Sequence, residues 1–176
     1  MEPKACDHQS VGIFLRRSAD IAVIFRKNYP QSYALPAGHL DGELSYEAAI
    51  KEAKEEVGIL IYEQMLIHEG EFQNPCRRTR ETYHRWCVYE ALEWTGELRA
   101  GSDAAEASWM SIPELREKAH ITRALAKELD TPLWDLASST PLIVNHPWWQ
   151  KHPGLEPIWY VMLDRMGLIF PRLPST

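Results

Sequence analysis

The sequence predicts an α/β domain. Apolar, β-branched runs stand before and after a short carboxylate-rich helix, and that helix is bounded by a loop containing glycine and by a glycine stop. The chain has 176 residues, enough for one domain with a substantial core.

Taken in order, Val11 to Arg16 and Ile21 to Arg26 read as two strands of a hairpin or meander, split by Arg17-Ser18-Ala19-Asp20. Asn28 to Ser32 is a loop, and Tyr33 to Leu35 a short strand. The acidic helix follows Pro36-Ala37-Gly38. Ser45 is its expected N-cap, Glu47 adds charge to the first turn, and Gly58 is placed to end it in a left-handed conformation. Met65 to Phe72 and Tyr83 to Ala91 read as strands, with Trp86 as a core residue. A third segment, Ala107 to Ser111, is a strand leading into a helix that opens at Pro113. Thr122 to Leu129 is expected as a separate short helix, Thr131 to Pro153 as a loop-rich segment, and Pro157 to Met166 as a last helix. Residues 1–130 form the expected domain. Residues 131–176 are an extension rich in Trp and Pro that packs on the same core, shapes a substrate pocket or forms a dimer surface.

Within the acidic helix, Ala49, Ile50, Ala53 and Val57 make an apolar stripe. Glu52, Glu55 and Glu56, at i, i+3 and i+4, share the other side. Two carboxylates about 6 Å apart repel by roughly 3 kcal/mol at an effective dielectric near 20. Lys51 and Lys54 offset part of that, and a solvated face would relieve it. So would a hard divalent cation held by the carboxylates and by carbonyls of the preceding loop, which suits Mg²⁺ or Mn²⁺. Glu43 approaches from the same side. The loop after Asn74 gathers Arg77, Arg78 and Arg80, which could hold a phosphate through guanidinium forks or stand free at a hairpin tip. Tyr83 could stack on a base.

The stretch from Gly38 to Ile59 resembles the signature of the Nudix hydrolases. That signature is Gly, five residues, Glu, seven residues, Arg-Glu, an aliphatic, any residue, Glu-Glu, any residue, Gly and an aliphatic. Here Glu43 is followed by seven residues and then by Lys51-Glu52-Ala53-Lys54-Glu55-Glu56-Val57-Gly58-Ile59. Four residues rather than five separate Gly38 from Glu43, Lys51 replaces Arg, and Ala53 replaces a larger aliphatic. Weaker similarity runs to about residue 120.

The resemblance implies an α/β/α sandwich around a mixed sheet. It implies a metal-dependent pyrophosphohydrolase acting on a nucleoside diphosphate linked to another moiety. Glu52, Glu55, Glu56 and the Ala37 carbonyl are the implied ligands for Mg²⁺ or Mn²⁺. Glu52 or Glu106 is the implied base, with Asp103 competing for the latter's place. Lys51 orients a glutamate, Gly38 and Glu43 support the loop, and a basic residue near Arg26 meets phosphate. The expected substrate is a nucleoside triphosphate. The alternatives are ADP-ribose or a nucleotide sugar, or a weakly catalytic module that binds nucleotide and regulates a partner. Pro75, sixteen residues after Ile59, falls near a proline of the ADP-ribose branch.

Composition narrows the partners. A net charge of −6 disfavours general nucleic-acid binding. The sequence contains no apolar run of membrane-spanning length and no signal-peptide pattern. The three cysteines Cys6, Cys76 and Cys87 form no CxxC pair; they read as reduced cytoplasmic thiols rather than zinc ligands, although His84 lies between two of them. A homodimer is one expected state.

Overall fold

The computed structural model describes residues 5–76, 78–79 and 83–170. Its elements run β1 (Gln9–Arg17), β2 (Asp20–Arg26), β3 (Tyr33–Ala34), β4 (Ala37–His39), α1 (Ser45–Val57), β5 (Leu60–Gln73), β6 (Tyr83–Thr95) and β7 (Ala104–Ser111). The helices α2 (Ile112–Glu128), α3 (Leu136–Val144), α4 (Pro147–Lys151) and α5 (Pro157–Arg165) follow.

Among the described residues, seven strands form one mixed sheet in the order β3-β2-β1-β6-β5, with β4 on β1 and β7 on β2. β1 and β6 are parallel; the other pairs are antiparallel. β1 changes partners along its length. Its C-terminal end makes the hairpin with β2, while its first residues pair with β4 on one side and β6 on the other. This divergence opens space between β2 and β4 above α1, and the cleft lies there.

α1 packs on β1, β4, β5 and β6 through Ala48, Ala49, Ala53 and Val57, all buried. Alanines at three of these sites let the helix axis approach the sheet closely. Gly58 ends the helix at φ 73°, the left-handed conformation expected of it. Ser45 does not cap the other end. Leu44 occupies the N-cap without a side-chain bond, and the Ser45 hydroxyl instead lies 2.8 Å from the Tyr89 hydroxyl. A tertiary hydrogen bond has displaced the local one.

Three further expectations are corrected. β5 begins at Leu60, five residues before the apolar alternation becomes visible, because pairing with β6 is maintained through register shifts. The segment 112–128 is one helix rather than two, started by a capping box between Ser111 and Glu114. The loop-rich reading of 131–153 gives way to α3 and α4. α3 contains Ser138, Ser139, Thr140 and Pro141, a composition poor in helix formers, and burial of Leu136, Ile143 and Val144 overrides it.

The last helix joins the main core. Trp159 is fully buried, and its indole lies over Gly12 in β1, where an added Cβ would come within 2.4 Å of the ring. Trp86, buried as expected, meets Trp159 edge-on at 6.0 Å between ring centres. Among the described residues, no helix is long and apolar enough to cross a membrane.

Candidate active site

α1 sends its acidic face into a cleft of about 810 Å³ whose lining includes Lys51, Glu52, Glu55 and Glu56. The opposite walls come from β4, from the loop after β5, and from the C-terminal extension through Thr140, Glu156 and Ile158.

Each carboxylate is held differently. Glu56 Oε2 accepts a hydrogen bond from the Ala37 amide at 3.0 Å. It is therefore the Ala37 N–H, not its carbonyl, whose engagement with the carboxylate set is visible. Glu52 lies against Gly38, where an added Cβ would sit 2.0 Å from the Glu52 carboxyl carbon. Only glycine leaves room for that carboxylate, which gives Gly38 a physical role beyond loop flexibility. Glu55 is the outermost of the three and exposed. Lys51 Nζ reaches Glu43 Oε1 at 2.8 Å, so the lysine at the signature's arginine position does orient a glutamate, with one donor in place of a fork.

The electrostatics of this acidic face favour a positive charge among its carboxylates. Burial pushes the Glu52 carboxyl up to about 7, and the Glu55 charge adds to the rise while Lys51 opposes it. Burial likewise pushes Glu56 up to about 7, against the Ala37 hydrogen bond, with the Glu52 charge adding to it. Two desolvated, mutually repelling carboxylates beside a third are costly alone, and hard oxygen donors of this kind fit a divalent cation.

The C-terminal end of α1 is fastened as well. The amides of Arg99 and Gly101 donate to the carbonyls of Val57 and Glu56 at 3.1 and 2.8 Å. This docking carries Ser102 and Asp103 to the cleft. Glu106 goes elsewhere: it is exposed, pairs with Phe25 on β2, and does not line the cleft. Arg26, adjacent to Phe25 on β2 and so on the opposite face, does line it. Asp103 thus takes the place expected of Glu106, joining the three helix carboxylates on the cleft wall. Arg26 Nη1 stands 3.6 Å from Glu156 Oε2, a partner that sequence spacing could not reveal, since 130 positions separate the two. Arg78 lines the cleft and bonds the carboxylate of Asp41. Arg77 lies outside the described residues. Tyr83 is exposed, stacks on His8 and is not part of the cleft wall.

A family model described as the NUDIX domain matches residues 7–129, more than two thirds of the chain. The chain belongs to the Nudix family. An ADP-ribose pyrophosphatase of Methanocaldococcus jannaschii is 32% identical to it over 127 residues, which cover 69% of this chain and 73% of that protein. Two solved structures share the fold. A MutT Nudix hydrolase from Burkholderia pseudomallei superposes with a TM-score of 0.52 and 23% identity over 60% of this chain and 84% of that one. The E. coli ORF135 protein gives 0.51 and 15% identity over 82% and 91%. As a Nudix protein the chain is a pyrophosphohydrolase, and the mixed sheet with its helices is the Nudix fold.

Proposed function

We propose that this Nudix protein hydrolyses the pyrophosphate bond of a nucleoside diphosphate joined to a second moiety, with ADP-ribose as the first substrate to test. The observation that carries the metal-dependent reading is the half-buried pair Glu52 and Glu56, driven up in pKa by burial and by neighbouring acids on one helix face. Glu52, Glu55 and Glu56 would hold Mg²⁺ or Mn²⁺. A bound divalent ion supplies Lewis-acid neutralisation of the diphosphate. The Ala37 amide keeps Glu56 aimed into the cleft, and Gly38 keeps space for Glu52. Glu52 and Asp103 are the carboxylates we assign to accept a proton from the attacking water, since both line the cleft and Glu106 does not.

Charge supports a diphosphate over a triphosphate. The described cations facing the site each have an acid opposite: Arg26 with Glu156, Lys51 with Glu43, Arg78 with Asp41. Such a cleft neutralises a dianionic linkage with its metal more readily than the extra charge of a triphosphate. Pro75, at the position that resembles the ADP-ribose branch, lines the cleft. The 32% identical relative named an ADP-ribose pyrophosphatase supports the same choice.

The test is a panel of ADP-ribose, nucleotide sugars, nucleoside triphosphates and dinucleoside polyphosphates with Mg²⁺ or Mn²⁺, read as released products. ADP-ribose should give AMP and ribose 5-phosphate with the highest kcat/KM. A preference for a triphosphate would overturn the diphosphate assignment, and no turnover of any compound would overturn the catalytic one.

A second measurement probes the geometry. Gly38→Ala places a methyl group where the Glu52 carboxylate lies, and that carboxylate sits at the end of a flexible side chain. The side chain can swing aside at little cost in stability, but the ligand set is displaced. Turnover is expected to fall on the order of 100-fold, as small misplacements do, with the melting temperature nearly unchanged. Wild-type turnover in this variant would detach Glu52 from the chemistry.

A further inference from the structure

On one wall of the acidic cleft, lined by His39, Cys76 and His84, these three side chains and Cys6 converge from four separate parts of the chain. Cys6 comes from the segment before β1, His39 from the end of β4, Cys76 from the loop after β5, and His84 from β6. Their ligand atoms all lie within 4.8 Å of one another. Cys6 Sγ stands 3.2 Å from His84 Nε2, Cys76 Sγ stands 3.4 Å from His39 Nε2, and the two sulfurs are 3.6 Å apart.

We infer that Cys6, His39, Cys76 and His84 form a structural zinc site. With Zn–S near 2.3 Å and Zn–N near 2.05 Å, a tetrahedral ion sets its ligand atoms about 3.8 Å apart for sulfur–sulfur and about 3.5 Å for sulfur–nitrogen. The observed separations match that cage within a few tenths of an ångström. Two thiolates and two imidazoles are a donor set suited to zinc and unsuited to magnesium. Each sulfur also receives a main-chain N–H from the residue two positions on, His8 to Cys6 and Arg78 to Cys76, both at 3.3 Å. Such bonds orient a thiolate ligand and stabilise its charge. His84 is buried, and the other three are partly so. All four coordination positions are filled by protein, the arrangement of a structural rather than a catalytic zinc.

The placement gives the ion a purpose. His39 directly follows Gly38, at the start of the loop that is one residue shorter than the Nudix signature. Zinc ties this loop to β6, to the N-terminal segment and to the loop bearing Arg78. Cys87 stands apart from the set, on the face of β6 that carries Tyr89 rather than His84. The expectation that the thiols are unligated is therefore revised for Cys6 and Cys76, which no CxxC or HxxxH spacing would have flagged.

The full chain, purified without chelator and washed with excess magnesium, is assayed for zinc by elemental analysis. One equivalent per chain is expected. It should persist in Glu56→Gln, which separates this site from the acidic one, and in Cys87→Ser. It should fall to near zero in Cys76→Ser and in His84→Ala. Because those variants could fail to fold, cobalt is also exchanged into the wild-type protein, where strong visible bands of a tetrahedral ion and a near-ultraviolet thiolate band are expected. Zinc-free wild-type protein from zinc-supplemented cells, a weak octahedral cobalt spectrum, zinc unaffected by either substitution, or a Cys6–Cys76 disulfide in freshly isolated protein would each overturn the assignment.

Discussion

Glu56→Gln should lower turnover by roughly three orders of magnitude, about 4 kcal/mol of transition-state stabilisation. The same change should stabilise the protein at neutral pH when no magnesium is present. The reasons are linked. Glu56 is the most enclosed of the three helix carboxylates, held by the Ala37 amide and crowded by Glu52. The glutamine keeps the shape, loses the charge, and so loses its value as a cation ligand. The folded-state pKa of Glu56 rises from 4.5 to about 7, so the fold favours its protonated form. That contribution is fully present below pH 4.5, fades as pH rises through 7, and leaves above it a charged, buried group that costs on the order of 3 kcal/mol. Thermal melts at pH 5 and pH 8 check this. Without magnesium, Glu56→Gln should melt above wild type at pH 8 and close to it at pH 5. Added magnesium should raise the wild-type melting temperature more at pH 8, where the ligands are already deprotonated. Turnover within tenfold of wild type, or a variant less stable at pH 8, would remove Glu56 from the proposed metal set.

Trp159→Ala should cost about 3 to 4 kcal/mol of stability, the lower part of the range for deleting a buried tryptophan. Its indole is fully enclosed, lies on Gly12 and meets Trp86. The lower part of the range applies because the indole N–H is itself buried and has no hydrogen-bond partner among the described residues, so removing it recovers some of the loss. Trp159→Phe, which keeps an aromatic ring and drops that N–H, should cost much less. For a chain of this size the alanine variant should melt roughly 10 °C lower. Denaturant titration gives the free energy directly. A loss under 1 kcal/mol would mean that the extension is peripheral to the core. Because Trp86 lines the cleft, the alanine variant should also weaken substrate binding.

Much of the site was legible along the chain. The helix from Ser45 to Gly58, its apolar stripe, and its three carboxylates on one side follow from spacing alone, because a helix of 3.6 residues per turn converts sequence offsets into faces. The hairpin of β1 and β2 and the strand at Tyr83 follow from β-branched and alternating residues in the same way. Ser45 failed as a cap because a hydroxyl has several possible partners, and the choice of Tyr89 depends on where β6 lies. Glu106 looked right by its distance from Trp109, but strand register turned it away and brought Asp103 in.

The sequence by itself determined the fold class, the family and the acidic helix, since each rests on local periodicity and on one contiguous signature. Tertiary structure alone decided which acids share the cleft and that Glu156 faces Arg26. It also decided that Cys6, His39, Cys76 and His84 meet at a single point. These are contacts between residues tens of positions apart, and their geometry is set by strand pairing and helix docking rather than by any spacing along the chain.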